Sequence, residues 1–200
     1  MNIQELINKS EELIQWLDQQ IDGLEISSEE RTRLAAGCLD MALEHQKAIV
    51  LLVANKLYGS AFSLARLIFE AYVRGVWLQM CATDAEIEEY KNDKLKKNFA
   101  SLIQDIENCD GFDEKVLSTA KTANWISMNS YTHSGYLQTV RRNKEETIEP
   151  NYTEEEINEV LNIANALGML SALQVSLLAG KKELANGMLE KSKTIFDNKP

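Results

Sequence analysis

Apolar residues recur at intervals of three and four along nearly the whole chain, and no convincing run alternates at two. Ile3, Leu6, Ile7, Leu13, Ile14 and Leu17 form the first such stripe, which predicts an amphipathic helix from about Ile3 to Ile21. "DGLEISS" breaks it. Ser27, with Glu30 three residues later, reads as a capping box in which each side chain satisfies the other's backbone N–H. A second helix is therefore expected from about Glu29 to Leu57. Gly59 is placed to close that helix in the left-handed conformation, and Ser60 to cap the next one. The segment that follows, "AFSLARLIFEAYVRGVWLQMC" (61–81), is hydrophobic on nearly every side, which puts it at the centre of a bundle.

Shorter elements come next. Thr83 and Glu86 make a second capping box, and "KNDKLKKNFASLIQDIE" has amphipathic spacing. "NCDGFD" is a turn. "EKVLSTAKTANWISMNSYTH" reads as helix to about His133. Residues Ser134 to Tyr152, with Gly135 and Pro150, are the least regular stretch. Thr153 and Glu156 then open a last long helix reaching about Ala179, and "GKKELANGMLEKSKTIF" adds an amphipathic tail.

This pattern predicts an all-α fold, an antiparallel helical bundle of about five to seven helices joined by short loops. It is expected to be a single helical domain, with an N-terminal helix (1–26), a core bundle (27–180) and a C-terminal helical tail (181–200). Gly168, Ala172, Ser176 and Gly180 repeat at four in the last long helix. Small residues on one face allow close helix approach, either inside the bundle or across a homodimer seam.

Composition narrows the function classes. The net charge of −10 opposes non-specific binding to DNA, whose phosphates would be repelled, but leaves room for a local basic patch on RNA. The three cysteines, Cys38, Cys81 and Cys109, form no CxxC motif, and buried inert thiols in a reducing compartment are expected. The N-terminus has no basic leader followed by an apolar core. The apolar stretch Ala166–Gly180 is shorter than the roughly 20 residues a membrane span needs. A cytoplasmic protein without membrane contact is expected. P-loop, GxGxxG, HExxH and GxSxG motifs are absent, and there is no Cys/His zinc set, so no metal and no cofactor are expected.

Candidate chemistry gathers in two places. Arg66, Glu70 and Arg74 are each four from the next, on one face of the most apolar helix. A charge on a buried helix needs partners. The stretch "NSYTHSGYLQTVRRN" (129–143) holds His133, one of only two histidines, with Tyr131, Tyr136, Arg141 and Arg142 around Gly135. There His133 is either a helix-terminal cap or an acid/base group. Arg141 or Arg142 is suited to an anion, and Tyr131 or Tyr136 to stacking on a base. The other histidine, His45, lies on the second helix. Counting outward from a turn at Gly59 sets His45 level with Arg74 and within a turn of Glu70.

"YGSAFSLARLIFEAYVRGVWL", followed by "NWISMNSYTHSGYLQTVRR" and "IEPNY", resembles a group of small bacterial all-helical proteins of unknown function that are distantly similar to the HEPN superfamily. Ser60, Arg66, Glu70, Asn129, His133, Gly135, Arg141, Arg142, Pro150 and Asn151 carry the resemblance, over roughly residues 35 to 180. It implies a HEPN-like bundle and adds Asn129 to the candidate ligand-binding residues. HEPN families include RNases of toxin–antitoxin and phage-defence systems, in which two helical domains pair and an Arg stands four to six residues from a His. Here those positions hold Ile126, Ser127 and Met128 ahead of His133, and Cys38, Leu39 and Asp40 ahead of His45. Neither set contains Arg, so that catalytic motif does not carry over.

Two functions follow as expectations. One is a cytoplasmic, homodimeric binding or interaction module whose Arg66, Glu70 and His133 region holds an anionic or nucleotide-like ligand, or a partner. Arg74, His45, Asn129, Tyr131, Tyr136, Arg141 and Arg142 are its candidate contacts. The other is a metal-independent HEPN-like ribonuclease or toxin in phage defence or stress. In it His133 is the acid/base, Arg66 or Arg141 the phosphate clamp and Glu70 the orienting group.

Overall fold

The computed structural model describes residues 2–112 and 114–196, the side chains of 193–196 excepted. Nine helices occur among them: α1 (Ile3–Ile21), α2 (Glu30–Ala54), α3 (Tyr58–Met80), α4 (Asp84–Lys91), α5 (Phe99–Glu107), α6 (Val116–Thr132), α7 (Tyr136–Val140), α8 (Glu154–Leu178) and α9 (Lys182–Phe196). No strand is found among the described residues, only an isolated bridge between Asn143 and Ile148. The helix count exceeds the five to seven expected, and the short α7 falls in the 134–152 stretch expected to be irregular. The tail expected over 181–200 is helical as far as Phe196; residues 197–200 lie outside the described residues.

The local signals are met where side chain and backbone can close on each other. Thr83 with Glu86 and Thr153 with Glu156 both form complete capping boxes, and Asn2 with Glu5 forms a third. The expected box at Ser27 does not form. Glu29 is the N-cap of α2 without a side-chain bond, and the Ser27 hydroxyl accepts from the Glu29 N–H instead (3.2 Å).

The α2–α3 turn also departs from expectation, and this changes the register. Lys56, not Gly59, adopts the left-handed conformation (φ 59°), and the Leu57 N–H reaches back to Leu52 O (2.8 Å). Helix α3 starts at Tyr58, so Gly59 and Ser60 lie inside its first turn rather than at a cap. The two helices run antiparallel in close contact. A Cβ on Gly75 would stand 2.9 Å from Leu39 Cγ and 3.1 Å from Ala35 O, so only glycine allows this approach.

Helix α3 packs against α2, α5, α6 and α8, the central position its composition predicts. Trp77, Tyr72 and Ile68 are fully buried there. A second apolar cluster joins Leu13, Leu17, Leu43, Met169 and Met188 from α1, α2, α8 and α9. A polar thread crosses the core between the clusters. Gln46 donates to Asn165 Oδ1 (3.4 Å), and Asn165 donates to Ser10 Oγ (2.8 Å). Of the small-residue stripe, Ala172 and Ser176 are fully buried and Gly168 lies against Gln46, so these three pack the bundle. Gly180 falls beyond the end of α8 in a left-handed turn (φ 70°) and is exposed. Among the described residues α8 alone is long and apolar enough to cross a membrane, longer than the 166–180 stretch suggested, but over half of its apolar window is buried within the bundle. It is a core helix.

Candidate functional site

Arg66 is the hub of a polar cluster on α3 and α6. Its Nε donates to Glu70 Oε1 (2.8 Å), the i,i+4 partner one turn along the same helix. Its Nη1 donates to Asn129 Oδ1 (2.6 Å) and to His133 Nε2 (2.6 Å). A guanidinium only donates, so His133 Nε2 accepts and the ring proton of this arrangement sits on Nδ1. Arg66 Cζ also lies over the Trp125 ring, 4.7 Å from its centroid, a favourable cation–π position. Lys121 Nζ lies 5.2 Å from the same ring, and Phe99 of α5 stacks on it at 4.8 Å. The Arg66 and Glu70 side chains keep 20% and 23% of their exposure, so the ion pair is neither dry nor fully solvated.

The sequence positions this cluster through two stripes. Arg66 and Glu70 share a face of α3. Lys121, Trp125, Asn129 and His133 are each four from the next, so they line one face of α6 up to its C-cap. The seam between the helices is pinned beside them. Ser63 Oγ lies 2.9 Å from Tyr131 O, Thr132 Oγ1 lies 3.2 Å from Ser63 O, and Gln138 Nε2 donates to Ser63 Oγ (2.9 Å). Helix α6 then ends in a tight turn. Ser134 is left-handed (φ 53°), and a Cβ on Gly135 would fall 2.6 Å from Ser130 Oγ. The turn requires glycine there, and it releases Ser130 Oγ to accept from the Leu137 N–H (2.9 Å).

The structure thus joins Arg66, Glu70, Asn129 and His133, and separates the other candidates from them. Arg74 points elsewhere. Its guanidinium lies 5.7 Å from the Tyr90 ring centroid, and Tyr90 contacts Cys38 (Oη–Sγ 3.5 Å). Burial pushes the Cys38 thiol up, while the contact with Tyr90 and the Arg74 charge pull it back. Arg74 is therefore level with Cys38, seven residues or about 10 Å along the helix from His45. The expected His45–Arg74 level is wrong because the turn falls at Asn55–Leu57 rather than at Gly59. No hydrogen bond or ion pair joins His45 to the cluster among the described residues. Partial burial lowers its pKa from the ordinary 6.5, opposed by the neighbouring Glu44 charge.

Tyr131 is unavailable for stacking on a ligand, because it is buried between Phe62 and Tyr152 (centroids at 4.9 and 6.5 Å). Tyr136 is 79% exposed. Arg141 is bound in an ion pair with Glu156 of α8, on the wall of a 240 Å³ cavity among Phe62, Met128 and Val160. It is an inter-helix tie and not a clamp for the Arg66 cluster. Arg142 is exposed on a separate groove of about 580 Å³ with Lys56, Ser60 and Gln138. Neither cavity is lined by Arg66, Glu70 or His133. Trp125, Lys121 and Phe99 belong to the site and were missed. The four-residue spacing from Lys121 to His133 was the signal for the first two; nothing local points to Phe99. Among the described residues no group of three His, Cys, Asp or Glu side chains could hold a metal ion.

Fold and site together define an all-helical protein with a guanidinium-centred polar cluster on one partly open face. The chain belongs to the family of unknown function DUF6988, whose model matches residues 39–200. That match takes in α3, α6 and every residue of the cluster. Comparison with curated proteins and with solved structures finds no match.

Proposed function

We propose that this chain is a cytoplasmic helical binding module, working as a homodimer, whose Arg66 cluster receives an anionic or nucleotide-like ligand or partner. The observation that carries this reading is the state of the guanidinium. Three fixed bonds and the Trp125 ring hold its Nε and Nη1 in place, while Nη2 makes no hydrogen bond among the described residues. A pre-oriented guanidinium edge loses little freedom on binding an anion. Lys121 adds a second cation at the same ring. For the homodimer, the outward row of α6 supports the reading. Val116 and Ile126 are 61% and 81% exposed, and Thr119 and Ala123 between them add no charge. Two chains of net charge −10 can meet there without facing like charges.

One observation favours the enzyme reading as a second choice. An exposed imidazole stands 2.6 Å from a guanidinium, the pairing of acid/base group and phosphate clamp that a metal-independent HEPN-like ribonuclease would use. Calorimetric titration with AMP, inorganic phosphate and a short single-stranded RNA tests the binding reading. AMP is expected to bind, and Arg66→Met to weaken it about tenfold or more, the loss of one charge-assisted contact. Absence of binding by all three probes, or equal binding by Arg66→Met, would refute it. RNA cleavage that disappears in His133→Ala at unchanged Tm would replace it with the ribonuclease.

A further inference from the structure

Cys81 and Cys109 do not behave as the buried, separate thiols expected of them. Cys81 is the C-cap of α3, and Cys109 follows the C-cap of α5. They are 28 residues apart in the chain, yet their Sγ atoms lie 3.5 Å from each other. Both are only partly buried, whereas Cys38 is buried beside Tyr90. We propose that Cys81 and Cys109 form a reversible intramolecular disulfide when the protein meets a hydroperoxide, tying the end of α3 to the end of α5.

The geometry needs little change. A disulfide requires sulfurs at about 2.05 Å, so the pair must close by about 1.5 Å. Cys109 lies in the "NCDG" turn at the helix end, where the backbone is less constrained than inside a helix. The chemistry balances in two steps. The thiolate of one cysteine attacks a peroxide oxygen, the O–O bond breaks, and a sulfenic acid and hydroxide form. The other cysteine, 3.5 Å away, then attacks that sulfur. The S–S bond forms as the S–O bond breaks, and the departing hydroxide takes the second thiol's proton as water. The two thiols lose two electrons in all, and the peroxide gains them.

The link would close a loop containing α4. It would also anchor α5, which carries Phe99 against Trp125, to the helix that carries Arg66. A cross-link of this loop length raises Tm by roughly 5–10 °C in a chain of this size.

The folded full-length chain, treated with hydrogen peroxide and then unfolded in denaturant and alkylated, tests this. A mass loss of about 2 Da with one alkylated cysteine, Cys38, is expected, with Cys81 and Cys109 joined in one peptide pair on digestion and released by a dithiol. Cys38→Ser should give the same loss, and Cys81→Ser should not. Dominant oxygen adducts on the wild-type cysteines, intermolecular dimers, or three alkylated thiols after treatment would each overturn the proposal. Because the wild-type measurement decides it, a variant that folds poorly leaves the test intact.

Discussion

Gly168 and Gly37 are both helix-interior glycines, and changing each to alanine should shift stability in opposite directions. Intrinsic helix propensity favours the change at either position by about 0.5–1 kcal/mol. At Gly37, on the exposed face of α2, an added Cβ meets nothing within 4 Å, so the propensity gain stands alone. At Gly168 the added Cβ would fall 1.9 Å from Gln46 Oε1 and 2.1 Å from its Cδ. The Gln46 side chain must move, yet it is 1% exposed and bonded to Asn165. Displacing it leaves a buried amide and the Asn165 carbonyl unpaired, at about 1–3 kcal/mol. Overpacking adds a cost of similar size. Subtracting the propensity gain leaves Gly168→Ala less stable by roughly 1–5 kcal/mol, or about 3–15 °C in Tm at about 3 °C per kcal/mol. Urea unfolding followed by circular dichroism, with matched m-values, measures both variants. Adding Gln46→Ala to Gly168→Ala should make the two changes clearly sub-additive, because each relieves the other. A neutral or stabilising Gly168→Ala would refute the close α2–α8 contact on which this reasoning rests.

Other changes probe the site and its surroundings. His45 has a lowered pKa in the folded chain, so its contribution to stability is fully present above about 6.5 and is lost as pH falls through the lowered folded value. Unfolding midpoints measured from pH 7.5 to 5 should therefore decline less steeply in His45→Gln than in wild type; parallel curves would contradict the assigned burial. Arg141→Met should lower stability by about 0.5–1.5 kcal/mol through loss of the tie to Glu156 while leaving AMP affinity within about twofold of wild type. A large affinity loss in that variant would return Arg141 to the binding site.

How far the site was legible follows from the range of each interaction. Arg66 and Glu70 were readable because a four-residue spacing on a helix brings two side chains together whatever the rest of the molecule does. The same rule applied to Lys121, Trp125, Asn129 and His133 would have shown one continuous face. The histidine, tyrosine and arginines gathered at His133, Tyr136, Arg141 and Arg142 point instead to the loop, whose residue types are equally suited to a site. His45 and Arg74 were misplaced by a turn three residues from where glycine suggested it, since Lys56 took the left-handed position. Tyr131 and Arg141 had suitable chemistry but are committed to packing and to Glu156, which no spacing discloses.

The sequence by itself determined the long helices, the capping boxes at Thr83 and Thr153, the central place of α3 and the chemistry available on it. These depend on contacts within a few residues and on the ratio of apolar to polar positions around each helix. Tertiary structure alone decided that the end of α6 meets Arg66, that Phe99 stacks on Trp125, and that Cys81 lies beside Cys109. Each of those pairs is separated by at least 26 residues of chain. Their meeting depends on how side-chain shapes interlock between helices, a property of the whole packed bundle and not of any one segment.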